Sequence, residues 1–402
     1  MTVFGTRPEA IKLAPVIKEL QHHSTTLKSV VVVTAQHRQM LDSVLNVFSI
    51  KPNYDMNIMG ENQGLSDITC KILKNIESIY DKERPDLVLI QGDTTTVFAA
   101  SLAAYYRKIP VGHIEAGLRS RNKYQPFPEE INRRLTSVIA HLHFAPTDEA
   151  KTNLLQEGIS EDLICVTGNT VIDALLEVAA QDFTFDNDLL NNIKGRMILI
   201  TAHRRESFGK PFIDICNAIL TLAKQYPDVT FVYPVHLNPN VRNIVYPMLG
   251  NLSNVILIEP LEYLPFVHLM KRACIILTDS GGIQEESPSL NKPVLILREI
   301  TERPEAVKAG SAKLVGTRSQ TIIRETTRLL EYTQEYERMT HIANPFGDGR
   351  ASKRIVDFIK LEFNNKLLYE IQLFCQSHTY LSKGSIPDFL QICVLSRRDR
   401  WK

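Results

Sequence analysis

The chain has 402 residues, with 46 Lys and Arg against 45 Asp and Glu, for a formal net charge of +1. At 44% hydrophobic and 23% charged residues it has the make-up of a folded globular protein and is too apolar for a disordered one. The even charge balance argues against a dedicated nucleic-acid binder, which needs a basic excess. A length beyond the roughly 250–300 residues of one core predicts two domains.

The chain opens MTVFGTRPEA, reaching Arg7 and Glu9 without an apolar leader, so no secretory signal is expected. A strand-like TVF is followed by apolar runs at 29–36 (SVVVVTAQ), 86–93 (DLVLIQGD), 110–117 (PVGHIEAG) and 163–169 (LICVTGN). A polar stretch at 181–192 (QDFTFDNDLLNN) then separates a second series, at 196–204, 230–236, 254–260, 274–282 and 292–299. Runs of this length without alternation predict strands buried on both faces, as in a parallel sheet. The amphipathic stretches 95–108 and 212–226 predict crossover helices, so the pattern is that of a doubly wound α/β fold, with two such domains facing a cleft. No run approaches the roughly 20 apolar residues of a membrane span, and the chain is expected to be cytoplasmic. Six scattered cysteines form neither a disulfide framework nor a zinc ribbon. His141 and His143 have no neighbouring ligands to complete a metal site, so no metal is expected.

In doubly wound sheets ligands sit beyond the carboxyl ends of the strands, and here those ends are unusually polar: Asp93, Glu115, His203 and the turn 279–282. In GTRPEAIK (5–12), Pro8 suits a first helical turn, and the segment reads either as an ordinary strand-to-helix turn with a solvated Arg7 and Lys12 or as a phosphate-binding corner made by those two beside free N–H groups. The spacing is neither that of a dinucleotide fingerprint nor that of a P-loop. In LTDSGGIQEES (277–287), glycines allow close backbone approach, Ser280 offers a hydroxyl and Glu286 an acceptor for a ribose, with Arg303 expected nearby. Asp93, Glu115 and Glu129 form a carboxylate set suited to moving a proton on and off a sugar ring. Asp93 reads equally as the cap of the helix beginning at Thr94, and Glu129 with Glu130 as a solvated first helical turn. His203, followed by Arg204 and Arg205, suits the protonation or neutralisation of a leaving diphosphate, and reads equally as a structural strand-end histidine.

Taken in order, GTRPEAIK, TAQHRQML, QGDTTT, GHIEAGLR, PEEINR, GNTVIDAL, HRRESFG, YPVHLNPNV, DSGGIQEE and TERPEAV closely resemble the non-hydrolysing UDP-N-acetylglucosamine 2-epimerases, from residue 2 to about 362. The resemblance implies a GT-B-like fold with Rossmann-like domains at 1–168 and 169–349, a crossover helix at about 350–363 returning to the first, and homodimers. It implies reversible conversion of UDP-N-acetylglucosamine to UDP-N-acetylmannosamine for surface-polysaccharide synthesis, with no cofactor. By matched position, Arg7 and Lys12 look like substrate contacts, Asp93, Glu115 and Glu129 like the acid/base carboxylates, and His203 like the group assisting UDP departure. Ser280, Gly281, Gly282, Glu286 and Arg303 look like the UDP site, with Phe266 near the uracil and Leu261 where relatives can carry Gln. A second, regulatory nucleotide-sugar site would be lined by Gln36, Gln39, Gln63 and His236. Rival expectations are a hydrolysing epimerase, a GT-B glycosyltransferase and a nucleotide-sugar sensor without turnover.

Relatives usually carry several more residues before TVFGTRPE, so a first strand of about three residues is expected, and an upstream extension is expected to raise stability. Residues 364–402 match no motif of the family and are expected to be dispensable for activity. They hold six Lys and Arg against three Asp and Glu, leaving 40 against 42 in residues 1–363: a slightly acidic body, net −2, with a basic tail of +3.

Overall fold

The structure, a computed structural model, describes residues 1–35, 38–60 and 63–378. Residues Met1–Ile355 form one compact unit that holds two parallel sheets, and a second unit begins at Val356. The strands of the first sheet are β1 (Thr2–Phe4), β2 (Val31–Val33), β3 (Tyr54–Asp55), β4 (Val88–Gln91), β5 (Val111–Ile114), β6 (Leu142–Ala145) and β7 (Ile164–Val166). Those of the second are β8 (Met197–Thr201), β9 (Thr230–Pro234), β10 (Val255–Ile258), β11 (Ile275–Thr278), β12 (Val294–Ile296) and β13 (Ala312–Leu314).

The spatial orders are β3-β2-β1-β4-β5-β6-β7 and β10-β9-β8-β11-β12-β13. Each chain half thus starts in mid-sheet, winds to one edge, and crosses back to wind to the other. This is the doubly wound Rossmann order, and it leaves a crevice at the carboxyl ends where the winding direction reverses. The reversal falls between β1 and β4 in the first sheet and between β8 and β11 in the second. The β-branched runs VVV and MILIT are fully buried, as strands covered by helices on both faces must be. Val3, Val32, Val88 and Ile90 pack with Ile76 and Val97 of the flanking helices in the first core, and Ile198, Phe231 and Leu277 pack with Phe212 and Ile219 in the second.

Register aligns the polar strand ends. Gln91 pairs with Ile114, so Glu115 and Asp93 follow within two residues on adjacent strands. In the second sheet Thr201 pairs with Thr278, their hydroxyls 2.6 Å apart, and His203 and Asp279 follow. The chain passes between the sheets twice, after β7 and again before the last helix, Ala351–His378. The passages touch: Asn169 N–H donates to Phe346 O at 2.6 Å, and a Cβ added to Gly168 would lie 3.1 Å from the Gly347 Cα. Helix Thr170–Ala179 packs on helix Arg7–His22 of the first half and on helix Tyr263–Arg272 of the second. Its Asp173 caps the last helix, accepting from Ala351 N at 3.1 Å and from Ser352 N at 2.8 Å. That helix runs past residue 363 without a break.

Candidate active site

The GTRPE segment is built around Glu9. Its carboxylate, 2% exposed, accepts from Gly5 N at 3.0 Å, Thr6 N at 2.7 Å and the Thr94 hydroxyl at 2.7 Å. One buried acid therefore satisfies the N–H groups of the two residues that lead into helix Arg7–His22 and ties them to the turn after β4. The following turn of the helix presents Lys12, whose ammonium sits 2.7 Å from both oxygens of Glu115.

Glu115 takes a left-handed backbone conformation, φ +66°, directly after β5. That conformation is uncommon for a residue with a side chain and persists only where its surroundings hold it. Here Lys12 holds it, with Gln91 and Asn169 also donating to the same carboxylate. Burial alone would push Glu115 up, but the Lys12 ammonium holds it below the ordinary carboxylate value. Lys12, likewise, is raised against burial by Glu115. Asp93 on the neighbouring strand moves the other way. Burial pushes it up, Arg133 at 2.7 Å opposes that, and the charges of Glu115 and Glu129 add to the rise. Asp93 is not the helix cap: Thr94 takes that place, its hydroxyl accepting from Val97 N.

Glu129 opens helix Glu129–Ile139 with Oε2 buried and without a hydrogen-bond partner. Glu130 is 1% exposed and accepts from Ser120 N and Arg121 N, so this first turn is not a solvated face. Beneath the site His113 donates through Nε2 to Gly92 O at 2.7 Å. Burial drives its pKa down to about 3, so this ring is a neutral prop for the turn carrying Asp93.

At the second sheet the fully buried Asp279 accepts from the backbone N–H groups of His203 (2.6 Å) and Arg204 (2.7 Å), which pins the two strand ends together. The His203 ring stacks on His236, centroids 5.0 Å apart and 7° from parallel. Burial and His236 lower its pKa, while Asp279 opposes them. Ser280 starts helix Gly281–Glu286, and a Cβ on Gly282 would meet nothing within 4 Å, so the backbone there is open to an approaching group. Glu286 is buried and pushed up to about 8 by desolvation and by neighbouring Glu285, against the charges of Lys12 and Arg7. Arg303 pairs with Glu285.

The structure thus draws Lys12, Asp93, Glu115, Glu286 and Arg303 into one electrostatic cluster. His203 and His236 form a second group, with Ser280, Gly281 and Gly282 beside Asp279. Arg7, Leu261 and Phe266 are half-buried. Gln63 turns back on its own loop, bonding Gly60 N and Ile58 O. Gln39 lies in helix Arg38–Val47, and Gln36 lies outside the described residues. Sequence reasoning passed over Gln91, Arg133, Asn169 and Glu285. Asn169 and Glu285 were legible only as neighbours of a strand end and of Glu286. Among the described residues no group of three His, Cys, Asp or Glu side chains is placed to hold a metal ion.

Two doubly wound sheets with polar ends at both reversal points define a GT-B-like α/β protein. The family model for UDP-N-acetylglucosamine 2-epimerase matches residues 18–360, and the chain belongs to that family. It is similar to the UDP-N-acetylglucosamine 2-epimerase of Escherichia coli K12, at 54% identity over 91% of this chain and 99% of that protein. A crystal structure of the Neisseria meningitidis enzyme bound to UDP-GlcNAc is 57% identical, covering 89% of this chain and 98% of the other, with a TM-score of 0.78. A Staphylococcus aureus structure with UDP is 50% identical, covering 90% and 96%, with a TM-score of 0.80.

Proposed function

We propose that this protein interconverts UDP-N-acetylglucosamine and UDP-N-acetylmannosamine without net hydrolysis. The observation that carries the reading is the pair Asp93 and Glu115, neighbouring carboxylates whose environments push their proton affinities apart, which is how sites assign one acid and one base. The C2 hydrogen of the sugar is not next to a carbonyl. Expulsion of UDP builds positive charge at C1 and makes that hydrogen removable. A carboxylate takes the C2 proton, the C1–O bond breaks with its electron pair passing to UDP, and a C1=C2 double bond remains in a 2-acetamidoglucal. UDP then returns to C1 as a proton is delivered to the opposite face of C2.

In this reading Glu115 is held ionised by Lys12, Asp93 is the carboxyl with the higher proton affinity of the two, and Glu129 completes the carboxylate set. His203 stabilises or protonates the departing diphosphate. Arg7, Lys12 and Arg303 oppose its charge, the open backbone at Ser280–Gly282 receives its phosphates, Glu286 meets the ribose, and Leu261 and Phe266 flank the base. Placing these groups in a water-poor site strengthens each electrostatic contact and protects the glucal. A regulatory site at Gln36, Gln39, Gln63 and His236 belongs to the same proposal, supported by the stacking of His236 on His203. So does a homodimer, for which helix Glu129–Ile139 offers an exposed apolar stripe of Ile131, Leu135 and Val138. Among the described residues no helix is long and apolar enough to cross a membrane. We place the enzyme in the cytoplasm, supplying a surface-polysaccharide precursor.

Incubation with UDP-N-acetylglucosamine in D2O, followed by NMR, tests the reading. Deuterium at C2 with intact UDP-N-acetylmannosamine is expected. Free N-acetylmannosamine would replace this reading with the hydrolysing one, and unchanged substrate would defeat both.

A further inference from the structure

Asn169 is 3% exposed and lies where the chain first leaves β7 for the second half of the molecule. Its side chain does two jobs. Oδ1 caps helix Thr170–Ala179, accepting from Val171 N at 3.1 Å. Nδ2 donates to Glu115 Oε1 of the first half at 3.1 Å and to Glu285 Oε2 of the second at 3.0 Å. Capping needs only the oxygen. The amide nitrogen is used wholly between the two carboxylates.

Those carboxylates are the inner members of a chain of bonded groups, Lys12–Glu115–Asn169–Glu285–Arg303, that runs from one half of the molecule to the other. It contains two cations and two anions, so its charge closes at zero with a neutral donor at the centre. A donor is required there, because two carboxylates facing one another without one repel. It must also be uncharged, since a third carboxylate or a third cation would leave buried charge uncompensated.

We propose that Asn169 is a positioning residue, which orients the Glu115 carboxylate through one N–H and, through the other, ties that orientation to Glu285 and Arg303 in the second half. It touches no reacting atom. It makes the acid/base group sense whether the opposite half is in place. The proposal rests on the epimerase reading above and adds a residue that the reading does not contain.

Substitution separates positioning from capping, because Asp and Ser both serve as caps nearly as well as Asn. In Asn169→Ser and Asn169→Asp, kcat for epimerisation should fall on the order of 100-fold, the usual penalty for a reacting group displaced by about an ångström, with KM changing less. In Asn169→Asp the acid limb of the pH–rate profile should also move up by about one unit, because the added carboxylate disfavours the charged form of Glu115. Asn169→Ser, which adds no charge, should leave that limb in place.

A readout independent of turnover is stability against pH. An acid inserted between two carboxylates has a raised folded pKa, so Asn169→Asp should lose melting temperature relative to wild type as pH rises from 5 to 8. Wild-type kcat and parallel melting curves in both variants would leave Asn169 as a helix cap only and overturn the proposal. A wild-type protein inactive on UDP-N-acetylglucosamine would defeat the epimerase reading instead, and the melting comparison would still decide the charge-balance argument.

Discussion

Replacing Lys12 by Met tests the electrostatic centre of the molecule. Met keeps the length and most of the apolar stem but removes the charge that sits 2.7 Å from both Glu115 oxygens. The two side chains are only 17% and 7% exposed, so water cannot take over the role of the ammonium. Removing one member of a buried pair costs about 3–5 kcal/mol, because the remaining charge is left uncompensated. The sign of the pH dependence follows from the direction of each shift. In the wild type Glu115 lies below its ordinary value, so its contribution is complete above about pH 4.3 and is lost as the pH falls through the lowered value. Without Lys12, burial dominates and the same carboxyl rises above its ordinary value. The variant then relieves itself by taking up a proton, recovering about 1.4 kcal/mol for each pH unit below the raised value. Melting temperatures of the two proteins from pH 8 to pH 5 measure this. The gap should be widest at pH 8 and narrow on acidification, and activity at pH 8 should be lost. Equal melting temperatures at pH 8, or a gap that stays constant to pH 5, would refute the assignment of Lys12 and Glu115 as a mutually dependent buried pair.

Gly5→Ala should disturb both stability and substrate binding. Its Cβ would fall 2.0 Å from Thr34 Oγ1 and 2.7 Å from Thr96 Oγ1, two fully buried hydroxyls bonded to each other at 3.1 Å. Overpacking of this kind costs about 1–3 kcal/mol, and the shift passes to Arg7 and Lys12; unchanged Tm and KM would contradict it. Glu286→Gln should stabilise the ligand-free protein increasingly from pH 5 to pH 8, because a carboxyl held near 8 resists ionisation that the unfolded chain accepts. Thermal melts that stay parallel across that range would rule this out, and weaker UDP binding by the variant would be the accompanying sign of a ribose contact.

Much of the fold was legible because strands covered on both faces are written as uninterrupted apolar runs, as in 86–93 and 196–204. The strands outside those runs, edge strands β3 (Tyr54–Asp55) and β13 (Ala312–Leu314) and the interior β6 (Leu142–Ala145), are too short or too interrupted by polar residues to make one. The polar residues that stop the runs gave the site its outline, since topology alone sends strand ends to the ligand crevice. Partners were harder. Nothing local distinguishes Glu285 from Glu286, yet one pairs with Arg303 while the other sits buried and proton-retaining. Asn169 caps helix Thr170–Ala179, and its second use depends on two carboxylates 54 and 116 residues away. Contacts of that separation are set by chain topology, which local pattern does not encode.

The two glycine-bearing passages between the sheets, touching at Gly168 and Gly347 and stitched by Asn169 N to Phe346 O, amount to a joint with an axis. Two adjacent passages would resist sliding more than rotation, and displacement in a rotation grows with distance from its axis. Asn169 stands beside that joint with one N–H on a carboxylate of each half, so a rotation there would change the angle between its two bonds.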